Sequence, residues 1–328
     1  MTTILRLNPD SEIEILEKTA DILKKSGVAI VPTDTVYGLV CDGESEYAKK
    51  NIYLIKKRTE SKPLIGFVRN IEQAERVAFI PRLFLPFILN RWPGRNTFVF
   101  RSRIESRYIV NKDHTIALRI PAHNFINLLC EIFPFLASTS ANISSYGSAC
   151  CVAQIDSSVV NNVSITIDNG KLPGRESAIW DMTQDTPKLI RGKVLFVCSG
   201  NSCRSPMAQA ILKSFVATSI DVISAGIEPN FYGSMTRESI EVLKETGINV
   251  QNFVSKNLTR EMLEFSDLVF VMEEKHRERV LQLFPQAYDR VFVLNVQDPA
   301  GSDIFKYRQI RDIIKQRIIK NVLTRIKT

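Results

Sequence analysis

The segment KVLFVCSGNSCRSPMAQAIL, residues 193–212, constrains the fold of this chain more than any other. The run KVLFV reads as a buried strand. Ser199, Gly200, Asn201 and Ser202 then suit a tight turn, because glycine and asparagine tolerate positive φ. From SPMAQAILKSF a helix is expected, with Ser205 as N-cap and Pro206 at the first helical position. Strand, tight loop and helix in this order aim successive backbone N–H groups and a helix dipole at one point, the carboxyl end of the strand. That is an anion cradle.

Cys198 enters the cradle from the strand, where the same field stabilises a thiolate. Arg204, six residues on, offers a planar fork for two phosphate oxygens. A thiolate attacking phosphorus while the cradle holds the equatorial oxygens gives a phosphocysteine intermediate. The leaving group needs an acid. Asp298, in NVQDPAG just after the strand VFVL, reaches the same sheet edge if the strands are parallel. Cys203 has two open readings: a small buried hydrophobe, or a partner that forms a reversible disulfide with oxidised Cys198.

About 190 residues precede this loop, and 328 residues exceed what one core usually serves, so two domains are expected. The change of register falls at Gly192, giving domains 1–192 and 193–328. The rear part alternates strand 193–198, helix 205–217, strand 221–224, helices 236–247 and 259–265, strand 267–272, helix 274–283, strand 291–293 and helix 303–327. This is the pattern of a Rossmann-like parallel sheet flanked by helices. The front part begins with a helix over 11–26, stopped by Gly27. A buried strand and loop in VAIVPTDTVYGLV and strands at PLIGFV, TFVF and TIALRIP follow, with a helix at IEQAERVA and a mobile loop with a short helix over 144–162. The fold class is therefore α/β in both halves.

The net charge of +8 is spread evenly over the two halves, which suits phosphate-bearing ligands without establishing nucleic-acid binding. Six cysteines without a CxxC pair, and three histidines, argue against a structural zinc site. The start MTTILRLNPDSEIEILEK lacks a signal-peptide layout, and no apolar run approaches a bilayer span. A cytoplasmic protein with reduced thiols and no membrane association is expected.

Residues 193–328 resemble the low-molecular-weight protein phosphatases, on VLFVCSGNSCRSPMAQAIL, SAG at 224–226, DLVFVME at 267–273, and DPAG with Tyr307. The resemblance implies Cys198 as nucleophile, Arg204 as phosphate binder, Ser205 as hydroxyl donor to the thiolate, Asp298 as general acid and Asn201 as the residue that fixes the loop. The loop Ser199, Gly200, Asn201, Ser202, Cys203 would hold the phosphate. Tyrosine-specific relatives usually carry isoleucine where Ser202 stands, and aromatic residues after the Asp-Pro, where this chain has Ala300. Members that resemble protein arginine phosphatases have a small hydroxyl residue at the first position, so phosphoarginine is the expected target, with phosphotyrosine the alternative. Phosphorylated proteins would be the substrates, and no cofactor is implied.

In the front part, Lys56, Arg58, Lys62, Arg119 and Arg191 are expected at strand ends or in loops, interleaved with Thr33, Thr35, Thr139, Ser140 and Asn142. Cations and small hydroxyls converging on one cleft suit a polyphosphate and a small polar co-substrate. No GxxxxGK[ST] occurs, so an ordinary P-loop is excluded. The series PTDTVYGL, IKKRTESKPL, WPGRNTFVF, ALRIP, STSANIS, IDNG and LIRGK resembles a YrdC-type threonylcarbamoyl-AMP synthase. That family joins ATP, L-threonine and bicarbonate, and its product reaches tRNA through a downstream transferase. The resemblance implies a YrdC-like twisted α/β sheet, with Lys56, Arg58, Ser140 and Asn142 at the KxR and SxN positions. Lys62 and Arg191 would hold ATP, and Thr35, Arg119, Thr139 and Ser177 would hold threonine. Magnesium would accompany the ATP. The whole chain is thus expected to be a bifunctional enzyme. The competing expectation is a non-catalytic nucleotide- or RNA-binding module attached to a phosphotyrosine phosphatase.

Overall fold

The computed structural model describes residues 2–59, 62–144, 146–228 and 233–327. It divides into two compact units, residues 1–187 and 188–328. The unit boundary falls five residues before the expected Gly192, and LIRG does not make a separate terminal strand. It forms the first half of one continuous strand, Lys188–Cys198.

The first unit contains β1 (Thr3–Arg6), α1 (Glu12–Lys24), β2 (Ala29–Val31), β3 (Gly38–Asp42), α2 (Glu46–Lys56), β4 (Ile65–Phe67), α3 (Ile71–Val77) and β5 (Ala78–Phe79). It continues with α4 (Leu85–Leu89), β6 (Asn96–Ser102), β7 (Thr115–Arg119), α5 (Asn124–Ile132), β8 (Leu136–Ser140), α6 (Ser157–Val160), β9 (Ile165–Asp168) and β10 (Ala178–Asp181). Its mixed sheet runs β1-β9-β2-β3-β8-β4-β7-β6-β10, with β5 beside β6. Pairs β1–β9, β9–β2, β4–β7 and β6–β10 are parallel, and the pairs between them are antiparallel. Ile15, Ala20 and Leu23 of α1 and Phe125, Ile126 and Leu129 of α5 pack over Ala29, Val31, Val40 and Ile165. Burial of these faces, at roughly 25 cal/mol per Å² of apolar surface, is the main force holding both helices to the sheet. Neither α2 nor α5 belongs to the sequence expectation.

The second unit contains β11 (Lys188–Cys198), α7 (Arg204–Lys213), β12 (Ile220–Gly226), α8 (Arg237–Lys244), α9 (Arg260–Glu264), β13 (Leu268–Val271), α10 (Glu274–Leu283), β14 (Val291–Val293) and α11 (Ile304–Arg317). All pairings in its sheet, ordered β12-β11-β13-β14, are parallel, as expected. Phe196, Phe270 and Phe292 sit in register on neighbouring strands with ring centroids 5.7 and 5.5 Å apart. On the other face Leu195, Val197, Val269 and Val271 pack against Leu263, Val280 and Phe284. The chain leaves β11 for β12 on one side and later reaches β13 on the other. The carboxyl end of β11 is therefore a topological switch point, where open α/β sheets leave a crevice. Cys198 is the last residue of that strand.

Two expectations need correction. The helix over 303–327 stops as an α-helix at Arg317 and continues as a π turn, Ile318–Val322. The helix expected from Ser205 begins at Arg204. Among the described residues no helix is long and apolar enough to cross a membrane.

Candidate active sites

In the second unit the loop from Cys198 to Arg204 is held by a chain of hydrogen bonds whose directions can be assigned. Asn201 adopts φ +51 and is fully buried. Its Oδ1 accepts from the Lys256 backbone N–H at 2.8 Å, which makes its Nδ2 the donor side. Nδ2 donates to Ser205 Oγ and to Ser224 Oγ, both at 2.9 Å. Ser224 Oγ passes its own hydrogen to Gln209 Oε1 at 2.6 Å. With Asn201 filling a lone pair of Ser205, the Ser205 hydroxyl hydrogen is left for Cys198 Sγ at 3.0 Å, ahead of the Ala225 carbonyl at 3.4 Å. This explains why Ser205 is not the N-cap. Cys203 occupies that position without a side-chain cap bond, Pro206 becomes the third helical residue, and the serine hydroxyl serves the thiol.

Arg204, 1% exposed, donates from Nη1 to Glu273 Oε2 at 2.5 Å and to the Val296 carbonyl at 3.1 Å, and from Nη2 to Asp298 Oδ2. Its Nε is buried without a partner among the described residues, a donor that a bound oxyanion would satisfy. Asp298 lies in the loop after β14, and its Oδ1 accepts from the Cys203 thiol at 3.7 Å. Burial, then the neighbouring Cys198 and Asp298, push the Cys203 thiol up to about 12, so it stays protonated.

Glu273 caps α10 in a reciprocal box with His276. Its carboxyl is held below the usual range by Arg204 and Lys275, against the opposing effect of burial, which is the largest single influence. His276 is fully buried. Burial first, and Arg204 second, pull it down to about 4, so it is neutral at ordinary pH.

Gly226 closes the loop from behind. A Cβ there would stand 2.5 Å from the Ser199 carbonyl oxygen and 3.0 Å from the Asn201 nitrogen. Both are backbone atoms, so no rotamer change relieves the clash. Gly226→Ala is expected to lower kcat about 10–100-fold by displacing the loop, with the unit still folded. Steady-state rates alongside circular dichroism check this.

In the first unit the expected residues form two adjoining groups. Lys56, Arg58, Thr139, Ser140 and Asn142 make the first. Lys56 is the last residue of α2, a helix end rather than the expected strand end or loop, and it is 1% exposed. Its Nζ donates to the Ser140 carbonyl, to the Asn142 carbonyl at 2.6 Å and to Asn142 Oδ1 at 3.0 Å. Burial, reinforced by the Arg58 charge and opposed by Glu176, pulls the ammonium down to about 7. Arg58 follows the left-handed Lys57 that ends the helix, and it donates to Thr139 Oγ1 at 3.2 Å and to the carbonyls of Lys62 and Pro63 at 3.0 Å. Ser140 Oγ donates to Asn142 Oδ1 at 2.5 Å.

The second group surrounds Arg119 at the end of β7. Arg119 donates to Thr35 Oγ1 at 2.9 Å, to Asp34 Oδ1 at 2.5 Å and to the Gly94 carbonyl at 3.0 Å. Thr35 Oγ1 also lies 2.8 Å from Thr33 Oγ1. Ser177 is buried against Thr97 of β6 at 2.9 Å. The groups meet at Gly38, which pairs with Ser140 and where a Cβ would lie 3.8 Å from Thr33 Cγ2. Lys62 is exposed and contributes its carbonyl, while Arg191 lies on β11 within the second unit. Asp34, Thr97, Gln209, Ser224, Glu273 and His276 are site residues the sequence reading does not single out. Only Glu273 and His276 carry a readable signal, an acceptor-x-x-acceptor cap ahead of a helix.

Comparison with known proteins decides the family. The Sua5/YciO/YrdC family profile, described as Telomere recombination, matches residues 21–192. The profile of low molecular weight phosphotyrosine protein phosphatases matches residues 193–328. A protein-arginine-phosphatase of Bacillus subtilis is 37% identical over 135 residues, covering 38% of this chain and 89% of that protein. The chain belongs to both families. A threonylcarbamoyl-AMP synthase of Psychromonas ingrahamii is 33% identical over 157 residues, 46% of this chain and 82% of that protein. The crystal structure of Escherichia coli YciO, 23% identical with a TM-score of 0.54, covers 58% of this chain and 95% of its own, and shows a shared fold.

Proposed function

We propose that the chain is a bifunctional enzyme, a protein-arginine phosphatase joined to a threonylcarbamoyl-AMP synthase. The observation that carries the phosphatase reading is the thiol of Cys198, with the Ser205 hydroxyl 3.0 Å away and the orphaned Nε of Arg204 six residues on. The Cys198 thiolate attacks phosphorus, and the P–N bond of phosphoarginine breaks. The departing guanidine nitrogen takes the proton of the Asp298 carboxyl. Asp298 then removes a proton from water, which attacks the phosphocysteine and frees phosphate and thiolate. Ser205 donates to the thiolate as it forms and leaves, and Arg204 holds the phosphoryl oxygens.

Phosphoarginine is favoured over phosphotyrosine by Ser202 and Ala300, which offer no clasp for a phenyl ring, and by the relative's name. The test compares kcat/KM for phosphoarginine and phosphotyrosine peptides, with Cys198→Ser as blank. A preference for phosphotyrosine overturns the specificity and leaves the thiolate chemistry standing.

In the first unit, ATP would lie over Lys56, Arg58, Lys62, Ser140 and Asn142. Threonine would lie near Thr35, Arg119, Thr139 and Ser177. Magnesium enters with the nucleotide as part of the substrate. The carbamate made from L-threonine and bicarbonate attacks the α-phosphorus and expels pyrophosphate. Pyrophosphate release that needs ATP, threonine and bicarbonate together supports this reading. Nucleotide binding without release favours the non-catalytic module. Transfer of the product to tRNA falls to a downstream transferase.

Lys56 adds a pH prediction. Its ordinary value of 10.5 is lowered to about 7 in the folded protein, so at pH 8 it is mostly neutral. Phosphate oxygens arriving beside it favour the charged form, so ATP binding at pH 8 is expected to take up close to one proton, falling toward zero at pH 6. Calorimetry in buffers of different ionisation enthalpy measures this, and Lys56→Met should abolish it.

A further inference from the structure

The two arms of the phosphate cradle, Arg204 and Ser199, are both tied to the first turn of α10. Glu273 carries the Arg204 guanidinium at 2.5 Å. His276, three residues on and fully buried, has its Nε2 2.9 Å from Ser199 Oγ. The imidazole tautomer follows from its other nitrogen. Nδ1 faces the Glu273 backbone N–H at 3.0 Å, and an amide N–H can only donate, so Nδ1 accepts and the proton of the neutral ring sits on Nε2. The imidazole therefore donates to Ser199 Oγ, which leaves the Ser199 hydroxyl hydrogen to be given elsewhere. The Ser199 carbonyl is fixed too, accepting from the Glu228 N–H at 3.0 Å behind the loop.

We propose that His276 is a positioning residue for the phosphatase reaction, whose Nε2–H bond to Ser199 sets the first residue of the cradle. This rests on the phosphatase reading above. His276 touches neither Cys198 nor the substrate in this scheme. It acts through Ser199 while Glu273, its partner in the cap, acts through Arg204. One helix turn thereby aligns both sides of the bound phosphoryl group. A loop of glycine, asparagine and serines has little side-chain packing of its own, so its N–H groups stay convergent only if such anchors hold them.

Two substitutions separate this role from plain helix capping. In His276→Asn the amide oxygen stands where Nδ1 stood, keeping the bond from Glu273 and losing the one to Ser199. In His276→Gln the amide nitrogen stands where Nε2 stood, keeping the Ser199 bond and losing the cap. His276→Asn is expected to keep its melting temperature and to lose about 10–100-fold in kcat on an aryl phosphate, with KM changed less than threefold. His276→Gln should melt lower yet recover most of that kcat. Ser199→Ala combined with His276→Asn should cost no more than either alone. Full activity in His276→Asn, or equal losses in both variants tracking their melting temperatures, overturns the proposal. Should the wild-type chain hydrolyse nothing that the Cys198→Ser chain does not, the phosphatase reading itself falls. Inorganic phosphate titration of the same variants then decides the positioning role: weaker binding in His276→Asn than in His276→Gln upholds it, and equal binding overturns it.

Discussion

Cys198→Ser is expected to lower phosphatase kcat by about 10⁴-fold while leaving the unit folded. Sulfur and oxygen differ little in size, and the Cys198 environment is set by the Ser205 hydroxyl and by the strand it terminates, neither of which the change disturbs. What is lost is nucleophilicity, since a serine oxygen is a far weaker nucleophile than sulfur. Phosphate affinity should fall little, because Arg204 and the backbone N–H groups remain. A full loss of activity with retained phosphate binding is the expected pattern. A loss confined to KM would mean that Cys198 binds and does not attack.

The second large effect is expected in the other unit. Lys56→Ala should reduce threonylcarbamoyl-AMP formation by about 10²–10³-fold, as for loss of a preorganised charge beside a reacting phosphoryl group. Stability is pulled both ways. The change removes a buried amine whose charged form burial penalises, and leaves the carbonyls of Ser140 and Asn142 without their donor. Lys56→Met fills more of the space and gives a cleaner reading. Both variants should keep phosphatase activity within twofold. Pyrophosphate release and phosphate release measured on the same preparations check this, and unchanged pyrophosphate release in Lys56→Ala would remove Lys56 from the synthase chemistry.

The loop 198–204 is readable from sequence because its geometry is encoded by neighbours. A strand, a Gly-Asn turn and a helix start within a dozen residues, and Asn201 takes the positive φ its type permits. What acts on the loop from afar is not readable in the same way. Glu273 reaches Arg204 across 69 positions and Ser255 reaches the Asn201 carbonyl across 54, and nothing local in either stretch announces the contact. The misplaced helix start has a similar cause. Ser205 has the residue type of a cap, but tertiary hydrogen bonds claim its hydroxyl. In the first unit, Lys56 reads as one more surface cation. Its burial depends on β8 and the 141–142 turn folding over the end of α2, an arrangement made by long-range pairing and invisible in the IKKR stretch itself.

The most direct test of the account is to trap the covalent intermediate. Mixing the two-unit chain with a phosphoarginine peptide, quenching during turnover and digesting the product should yield a peptide spanning Cys198 that carries one phosphoryl group on sulfur, absent in Cys198→Ser. Turnover at the same rate with no phosphoryl group on Cys198, from direct attack of water on the substrate, would contradict it.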